Sequence, residues 1–171
     1  MGMFASGVTI VTVGPADGDP HGMTANAVMS VSLDPPLLAV AIDNRSYTNG
    51  LIRRERHFAV NILSDEQNEL ANRFATRDMR GEALFAEVSH AHSELGDPLL
   101  DGCIGQVACE VVSEHVEGDH TLWIGRAVAF NDSSANGNPL VFHRGMFSST
   151  SCHLCIVRHD PVAAFMSMHE S

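Results

Sequence analysis

The stretch Gly22-Met-Thr-Ala-Asn-Ala-Val-Met-Ser-Val-Ser-Leu-Asp-Pro-Pro-Leu37 carries small polar residues through an apolar strand and ends it at Asp-Pro-Pro. A strand whose side chains only fill a core favours bulky β-branched residues. The small residues here leave backbone groups open to a flat polar ring, and they are Thr24, Ala25, Asn26, Ala27, Ser30 and Ser32. A polar barrel strand that runs into a turn would use the same residue types. The stretch therefore predicts either a ligand-binding strand or an ordinary barrel strand.

The segments around this stretch also have the composition of strands, because runs of β-branched residues are bounded by Gly, Pro and Asp. The predicted strands cover residues 7–13, 22–33, 37–42, 58–62, 106–116, 120–130 and 140–143. Seven strands in one domain indicate a mainly β protein and suggest a barrel. The turn-rich linker 14–22 is expected to join the first two strands as a hairpin-like connection.

Two segments have helical signals instead. Residues 47–56 place apolar side chains at helical spacing, with arginines on the exposed side. Ser64-Asp-Glu-Gln67 has the pattern of a capping box, which predicts Ser64 as the N-cap of a second helix. The apolar stripe of that helix is Leu70, Ala71, Phe74 and Ala75, so Phe74 is expected to be core or the wall of a site.

The length of 171 residues fits one domain, assigned to residues 1–171, with the tail 148–171 left unassigned. No apolar run approaches the ~20 residues that cross a bilayer. The N-terminus has no basic region before an apolar one. The sequence therefore predicts a cytoplasmic protein with no membrane partner.

The formal charge of -11 argues against a nucleic-acid partner, because phosphate backbones are bound by abundant Lys and Arg. The chain has no lysine, which excludes a lysine Schiff base, a lysine nucleophile and a P-loop lysine. Most of the basic residues cluster in one segment, and they are Arg45, Arg53, Arg54, Arg56, Arg73, Arg77 and Arg80. An anionic group is expected there, although solvated helix faces explain most of these arginines.

The four cysteines do not form a disulfide framework of the secreted type. Cys103 and Cys109 have apolar neighbours and are expected to pack as small hydrophobic residues. Cys152 and Cys155 have the spacing of a redox or zinc half-site, but a structural zinc site needs four ligands and the chain has no second pair. His90-Ala91-His92 is treated as a chance pair, so no metal site is predicted.

Several catalytic motifs are absent from the sequence, namely Gly-x-Gly-x-x-Gly after a strand, Gly-x-Ser-x-Gly and His-Glu-x-x-His. A chain without a nucleophile motif is expected to bind a ligand or to use the chemistry of a cofactor.

Two turns carry candidate binding residues. Asp43-Asn-Arg-Ser46-Tyr-Thr48 lies between a predicted strand and a predicted helix, where hydroxyls and backbone N–H groups suit a phosphate. An ordinary N-cap at Ser46 or Asp43 would explain the same residues without a ligand. The positive charge of Arg45 favours a site for an anion over this alternative. Gly118-Asp119-His120 is expected to form a hairpin turn, in which the imidazole could contact a ring or have no role.

Taken in order, these segments resemble the flavin reductase-like family, whose members are small NAD(P)H:flavin oxidoreductases that feed two-component monooxygenases. The matching motifs are Phe4-Ala-Ser-Gly-Val-Thr-Ile-Val-Thr, Gly22-Met-Thr-Ala-Asn-Ala, Ser30-Val-Ser-Leu-Asp-Pro-Pro-Leu, Asp43-x-x-Ser46-x-Thr48, Phe58-Ala-Val-Asn-Ile-Leu, Arg73-Phe-Ala and Gly118-Asp-His-Thr. The resemblance covers residues from about 4 to about 147. It implies an FMN-binding split β-barrel of Greek-key type, usually a homodimer.

The resemblance also implies a site for FMN or FAD, with NADH or NADPH as co-substrate and hydride transfer from nicotinamide C4 to flavin N5. The isoalloxazine ring would contact Thr24, Ala25, Asn26, Ala27, Ser30, Val31 and Ser32. The ribityl and phosphate part would contact Asp43, Asn44, Arg45, Ser46 and Thr48. Arg73 and Phe74 would lie next to the flavin tail, and His120 would contact the nicotinamide.

The chain departs from the family pattern at two places. The helix that commonly precedes the Phe-Ala-Ser-Gly-Val-Thr motif is expected to be missing, and Phe147 stands where the family often has tyrosine. A partner monooxygenase is expected to receive the reduced flavin. The alternatives are an FMN-binding electron-transfer protein, or a flavin-binding module of the same barrel without catalysis.

Overall fold

The computed structural model describes residues 3–76, 79–133 and 137–150, and within these ranges strands far outnumber helices. The strands are β1 Ser6–Gly7, β2 Thr9–Val13, β3 His21–Ala25, β4 Val28–Leu33, β5 Pro36–Asp43, β6 His57–Ile62, β7 His90–His92, β8 Pro98–Leu100, β9 Gly105–Glu117, β10 His120–Asp132, β11 Leu140–His143 and β12 Met146–Ser149. The helices are α1 Tyr47–Glu55, α2 Asn68–Phe74 and α3 Glu82–Phe85. The mainly β class is confirmed.

The main sheet has seven antiparallel strands in the order β3-β2-β6-β9-β10-β5-β4. Its two outer strands, β3 and β4, follow one another in the chain and are joined by Asn26 and Ala27 alone. Two residues span only a few ångströms, so the sheet curls until its two edges meet at this connection. In the described residues no hydrogen-bonded ladder joins β3 to β4, which leaves the curled sheet split along one seam.

The prediction of one strand over residues 22–33 is wrong in this respect, because the structure contains two strands there. The chain leaves β3 at one edge of the sheet and enters β4 at the other, and both linking residues are exposed. The Ala27 carbonyl accepts a hydrogen bond from the Ala41 N–H at 3.0 Å, which starts the pairing of β4 with β5. A strand pattern cannot reveal such an exchange of partners, since the residue types on both sides are the same.

The long strands β9 and β10 form the predicted hairpin, with His120 paired to Glu117 across a turn in which Gly118 has φ 64°. β10 also pairs with β5, where His120 lies opposite Asp43. The hairpin therefore brings two of the predicted binding segments to the same end of the sheet.

The core lies inside the curled sheet and is closed at one end by α1. Trp123 and Phe58 are its largest fully buried side chains. A second cluster under α2 and α3 contains Phe74 and Leu84. Cys103 and Cys109 are buried among these side chains, as predicted, and burial raises the pKa of both thiols to about 12.

Helix α1 matches its prediction closely. Ser46 is the N-cap, and its Oγ accepts a hydrogen bond from the Asn49 N–H at 3.1 Å. The helix buries Leu51 and Ile52 and ends at Arg56, which adopts the left-handed conformation with φ 64°.

Helix α2 begins later than predicted. Ser64 is not its N-cap, because Ser64 pairs with Pro139 in an isolated β-bridge and is buried there. The Gln67 side chain accepts a hydrogen bond from the Ser64 N–H at 3.0 Å, so half of the capping box forms while the helix starts at Asn68. In the predicted stripe Ala71 and Phe74 are buried and Ala75 is exposed.

Three further predictions concern ligands and membranes. His90 and His92 lie on β7 with ring centroids 5.2 Å apart, and the described ranges bring no three His, Cys, Asp or Glu side chains together as a metal site. Cys152 and Cys155 lie outside the described residues. Among the helices in those ranges, none has the length and apolar character needed to span a bilayer.

Candidate functional site

A cavity of about 440 Å³ opens between β3, the loop that enters α1 and the C-terminal end of α2. This volume falls within the usual range for small-molecule sites. The cavity is lined by His21, Gly22, Met23, Thr24, Asp43, Arg45, Ser46, Tyr47, Thr48, Phe74, Ala75, Thr76, Met79 and Arg80. The predicted residues among them are Thr24, Asp43, Arg45, Ser46, Thr48 and Phe74.

The wall formed by β3 depends on a glycine. A Cβ at Gly22 would lie 2.8 Å from Cε1 of Phe74, so only glycine lets this ring pack directly on the strand. The Thr24 hydroxyl donates a hydrogen bond to the Ala71 carbonyl at 2.6 Å. This bond fixes α2 against β3, and Thr24 therefore acts in the free protein as a tie between two walls of the cavity.

The first turn of α1 forms the opposite wall. Thr48 is fully buried, and its Oγ1 has no hydrogen-bond partner. Asn49 beside it accepts a hydrogen bond from the Trp123 indole N–H at 2.8 Å, which anchors the turn to the core. The start of α1 therefore combines a fixed backbone, the positive end of the helix dipole and an unused hydroxyl.

Asp43 and Arg45 form a closed ion pair at the edge of the cavity. The Arg45 Nε and Nη2 donate to the two carboxylate oxygens at 3.2 and 3.0 Å. The guanidinium and the Arg45 backbone N–H hold the pKa of the Asp43 carboxyl well below its usual range. The pair contributes little net charge to the cavity.

Three residues that the sequence prediction missed form a cluster on the same cavity. His21 is 7% exposed, and its Nδ1 has no partner. The Tyr47 ring meets the imidazole edge-on with centroids 5.0 Å apart, and the Arg80 guanidinium lies 4.9 Å from the Tyr47 ring centroid. Burial, and then the charge of Arg80, lower the pKa of His21 to about 4. The imidazole is neutral at physiological pH.

Two residues of this cluster are next to predicted motifs in the sequence. His21 directly precedes the Gly-Met-Thr motif, and Tyr47 stands between Ser46 and Thr48. Arg80 was counted only as one cation of the arginine-rich segment. Nothing in residue type or spacing indicates that the three side chains meet.

His120 and Asn44 lie beside the cavity, and neither lines it. Asn44 supports the hairpin turn, because it donates to the Gly118 carbonyl at 3.2 Å and accepts from the Thr121 hydroxyl at 2.6 Å. The His120 Nδ1 lies 2.7 Å from the Asp119 Oδ1, and its side chain is 46% exposed. Its register opposite Asp43 holds the imidazole near the mouth of the cavity.

Arg73 supports the far wall. Its Nη2 donates to the Ala83 carbonyl at 2.9 Å, while its Nε is buried without a partner. The guanidinium thus connects α2 to α3 behind the cavity.

The remaining predicted residues do not line the cavity in the single chain. Ala25 is buried at the end of β3, and the others lie in the seam and along the outer strand β4: Asn26, Ala27, Ser30, Val31 and Ser32. Asn26 donates to the Ser6 hydroxyl at 3.2 Å. Val31 is 47% exposed.

The sequence of this chain is similar to those of known flavin reductases. The model of the family described as "Flavin reductase like domain" matches residues 1–151. An NADH-dependent flavin reductase of a Rhodococcus species is 41% identical over 153 residues, which cover 87% of this chain and 82% of that protein. The reductase component of a 4-nitrophenol 4-monooxygenase/4-nitrocatechol 2-monooxygenase from Rhodococcus opacus is 39% identical, covering 86% and 76%.

Solved structures of flavin reductases are similar to this chain in fold. The flavin reductase component of a bacterial two-component tryptophan halogenase superposes with a TM-score of 0.80 at 33% identity, covering 86% of this chain and 92% of that one. An NADH:FAD oxidoreductase of Streptomyces globisporus, in complex with NAD and FAD fragments, gives a TM-score of 0.83 at 30% identity, covering 90% of each chain.

Proposed function

Because the chain belongs to the flavin reductase-like family, we propose that it oxidises NADH and reduces FMN or FAD in the cavity between β3 and α1. Its relatives are NADH-dependent flavin reductases and reductase components of monooxygenases. The reduced flavin then serves a partner monooxygenase. The relatives' NADH dependence favours NADH over NADPH, and the expected location is the cytoplasm.

One observation of the cavity carries this proposal. Thr48 Oγ1 and His21 Nδ1 are buried polar atoms without partners on its walls. An unpaired buried polar group costs about 1–3 kcal/mol, which a ligand with matching hydrogen-bond groups recovers. A flavin has ring nitrogens, carbonyls, ribityl hydroxyls and a phosphate, so the residues present fit it.

A bound flavin would supply the acceptance of a hydride at N5 from nicotinamide C4, which depends on the two rings being held close together. The protein has to bind and orient the two rings and exclude water. Phe74 provides an apolar wall, Thr48 and the first turn of α1 hold the polar tail, and Thr24 fixes the distance between walls. No side chain has to donate a proton in the hydride step.

His120 and the outer strand β4 complete the proposed site. His120 lies next to Asp43 at the mouth, where a nicotinamide would approach a ring held in the cavity. The positions of Ser30, Val31 and Ser32 on an exposed outer strand suit contact with a ligand or a second subunit at the cavity entrance.

We propose that the protein is a homodimer. Exposed apolar side chains gather on β4 and β10, and they are Met29, Val31, Leu33, Val128 and Phe130. The end of β4 lies close to this part of β10, because Leu33 pairs with Pro36 and Arg126 pairs with Leu37. Large exposed apolar patches are typical of subunit contacts, and we call this set the apolar face.

The function is tested by following NADH absorbance after adding FMN or FAD to the purified protein. We expect NADH oxidation that depends on flavin and continues over many turnovers. Flavin binding without NADH oxidation would contradict the reductase function and would indicate a flavin-binding module without catalysis. A yellow protein that turns over free flavin slowly would indicate a bound prosthetic group and an electron-transfer role.

A further inference from the structure

Five of the eight arginines that the structure describes form ion pairs with carboxylates. Arg53 and Arg56 share Glu114, Arg54 pairs with Glu55, Arg126 with Glu110 and Arg45 with Asp43. In a chain with a net charge of -11, acidic partners are abundant. An arginine that lacks one at a cavity is therefore a distinctive feature.

Arg80 is such an arginine. It lines the cavity, and within the described ranges it forms no ion pair. Asp19 lies close to the neighbouring Gly81 but makes no ion pair with the guanidinium. Tyr47 holds Arg80 instead, with its ring 4.9 Å from Cζ, and a cation–π contact positions a guanidinium without neutralising it.

The surroundings keep this charge available. His21, on the other side of Tyr47, is neutral because burial and Arg80 lower its pKa to about 4. Among the lining residues that the structure describes, the one other guanidinium belongs to Arg45, which Asp43 holds through two side-chain hydrogen bonds. Among the described lining residues, Arg80 is the one uncompensated charge.

We propose that Arg80 is a specificity-determining residue that binds the phosphate of the flavin substrate, so that the site prefers FMN and FAD over riboflavin. This inference rests on the proposed function. Guanidinium groups bind phosphates through charge-assisted, often bidentate hydrogen bonds. The first turn of α1, with Thr48, lies on the same cavity and is the second group suited to an anion.

The test compares flavins with and without the phosphate. Fluorescence quenching gives the Kd of FMN and of riboflavin for the wild type, Arg80→Gln and Arg80→Lys, and steady-state kinetics give KM for both flavins at fixed NADH. We expect Arg80→Gln to weaken FMN binding about 10- to 100-fold, the range for a hydrogen bond to a charged group. Riboflavin binding should change less than about threefold. Arg80→Lys should retain most of the preference, because it keeps the charge.

Arg126→Gln is the matched control, since it removes the same charge from an exposed ion pair away from the cavity. It should leave both flavin affinities unchanged. Added salt should weaken FMN binding to the wild type more than to Arg80→Gln, because screening acts on the charge.

Three results would overturn the inference. Equal binding of FMN and riboflavin by the wild type would remove the phosphate preference. Equal losses for both flavins in Arg80→Gln would make Arg80 a wall residue. A rise in KM for NADH with unchanged FMN affinity would assign the cation to the dinucleotide. Failure to bind any flavin would overturn the proposed function together with the inference. The three results above overturn the inference alone, so the two kinds of failure are distinguishable.

Discussion

The neutral imidazole of His21 makes folding sensitive to acid. The pKa of this side chain is about 4 in the folded protein and near 6.5 when unfolded, so between these values only the unfolded chain takes up the proton. Stability is therefore lost as pH falls from about 7 to 4, by at most about 3 kcal/mol. We expect His21→Asn to lack this loss in urea unfolding measured across that range.

The exposed His92 provides the comparison for this experiment. His92→Asn should keep the acid-side loss of the wild type. An unchanged pH dependence in His21→Asn would show that the folded protein protonates His21 as readily as the unfolded chain does.

The unused hydroxyl of Thr48 leads to a different prediction. Thr48→Val should leave the free energy of unfolding of the free protein unchanged within about 1 kcal/mol, because the hydroxyl has no partner to lose. It should weaken flavin binding about 3- to 10-fold, the value of one hydrogen bond. Chemical unfolding and a flavin titration measure the two effects.

Thr121→Val is the matched substitution, since that hydroxyl donates to Asn44 at 2.6 Å. It should destabilise the free protein by about 1–3 kcal/mol. If Thr48→Val destabilised the protein equally, the Thr48 hydroxyl would have a partner before flavin binds.

Some residues of the cavity could be predicted from local sequence patterns, and others could not. Ser46, Thr48 and Phe74 were predicted because a helix start and an apolar stripe constrain them locally. His21, Tyr47 and Arg80 meet from three separate segments, and no local pattern records such a meeting. The burial that makes His21 neutral is likewise a property of packing rather than of residue type.

At the scale of elements, two loops approach so closely that one of them requires glycine. A Cβ at Gly14 would lie 2.0 Å from the Gly96 carbonyl oxygen. Asp97 follows Gly96 in the chain, and its carboxylate accepts a hydrogen bond from the Gly14 N–H at 2.9 Å. The His57 Nδ1 also lies 2.9 Å from this carboxylate. The end of β2, the loop before β8 and the start of β6 are thereby joined at one buried point.

Gly14→Ala is expected to lower the free energy of unfolding by about 3 kcal/mol, the upper end of the range for overpacking. The contact is with backbone, which cannot rotate away. Thermal unfolding measures the effect. Gly50→Ala, in open space on α1, should raise stability by about 0.5–1 kcal/mol. Equal effects of the two substitutions would contradict the close approach.

Element positions were predicted well where one physical rule decides them. The strands and α1 follow from β-branched runs and an N-cap, both of which are local. The start of α2 and the break between β3 and β4 were missed, since Ser64 bonds across to Pro139 and the chain changes edges at Asn26. Both depend on partners distant in sequence.

For the whole molecule, the apolar face predicts the oligomeric state. Phe130→Glu should convert the proposed dimer to monomers in sedimentation equilibrium, because a charge in an apolar contact is costly. Met146→Glu, at an equally exposed methionine on β12, is the control and should remain dimeric. A wild-type monomer, or a dimer that persists in Phe130→Glu, would exclude the apolar face as the contact.

The seam between β3 and β4 also bears on how quickly the protein folds. Four of the nine strand pairs in the described residues join strands that are distant in the chain, with pairs such as Thr9 with Ile62, Phe58 with Cys109 and His120 with Asp43. Such contacts give a high contact order, which slows folding because long loops must close before pairing gains anything. Asn26 and Ala27 join the two outer strands directly, so bringing these edges together requires no long loop to close.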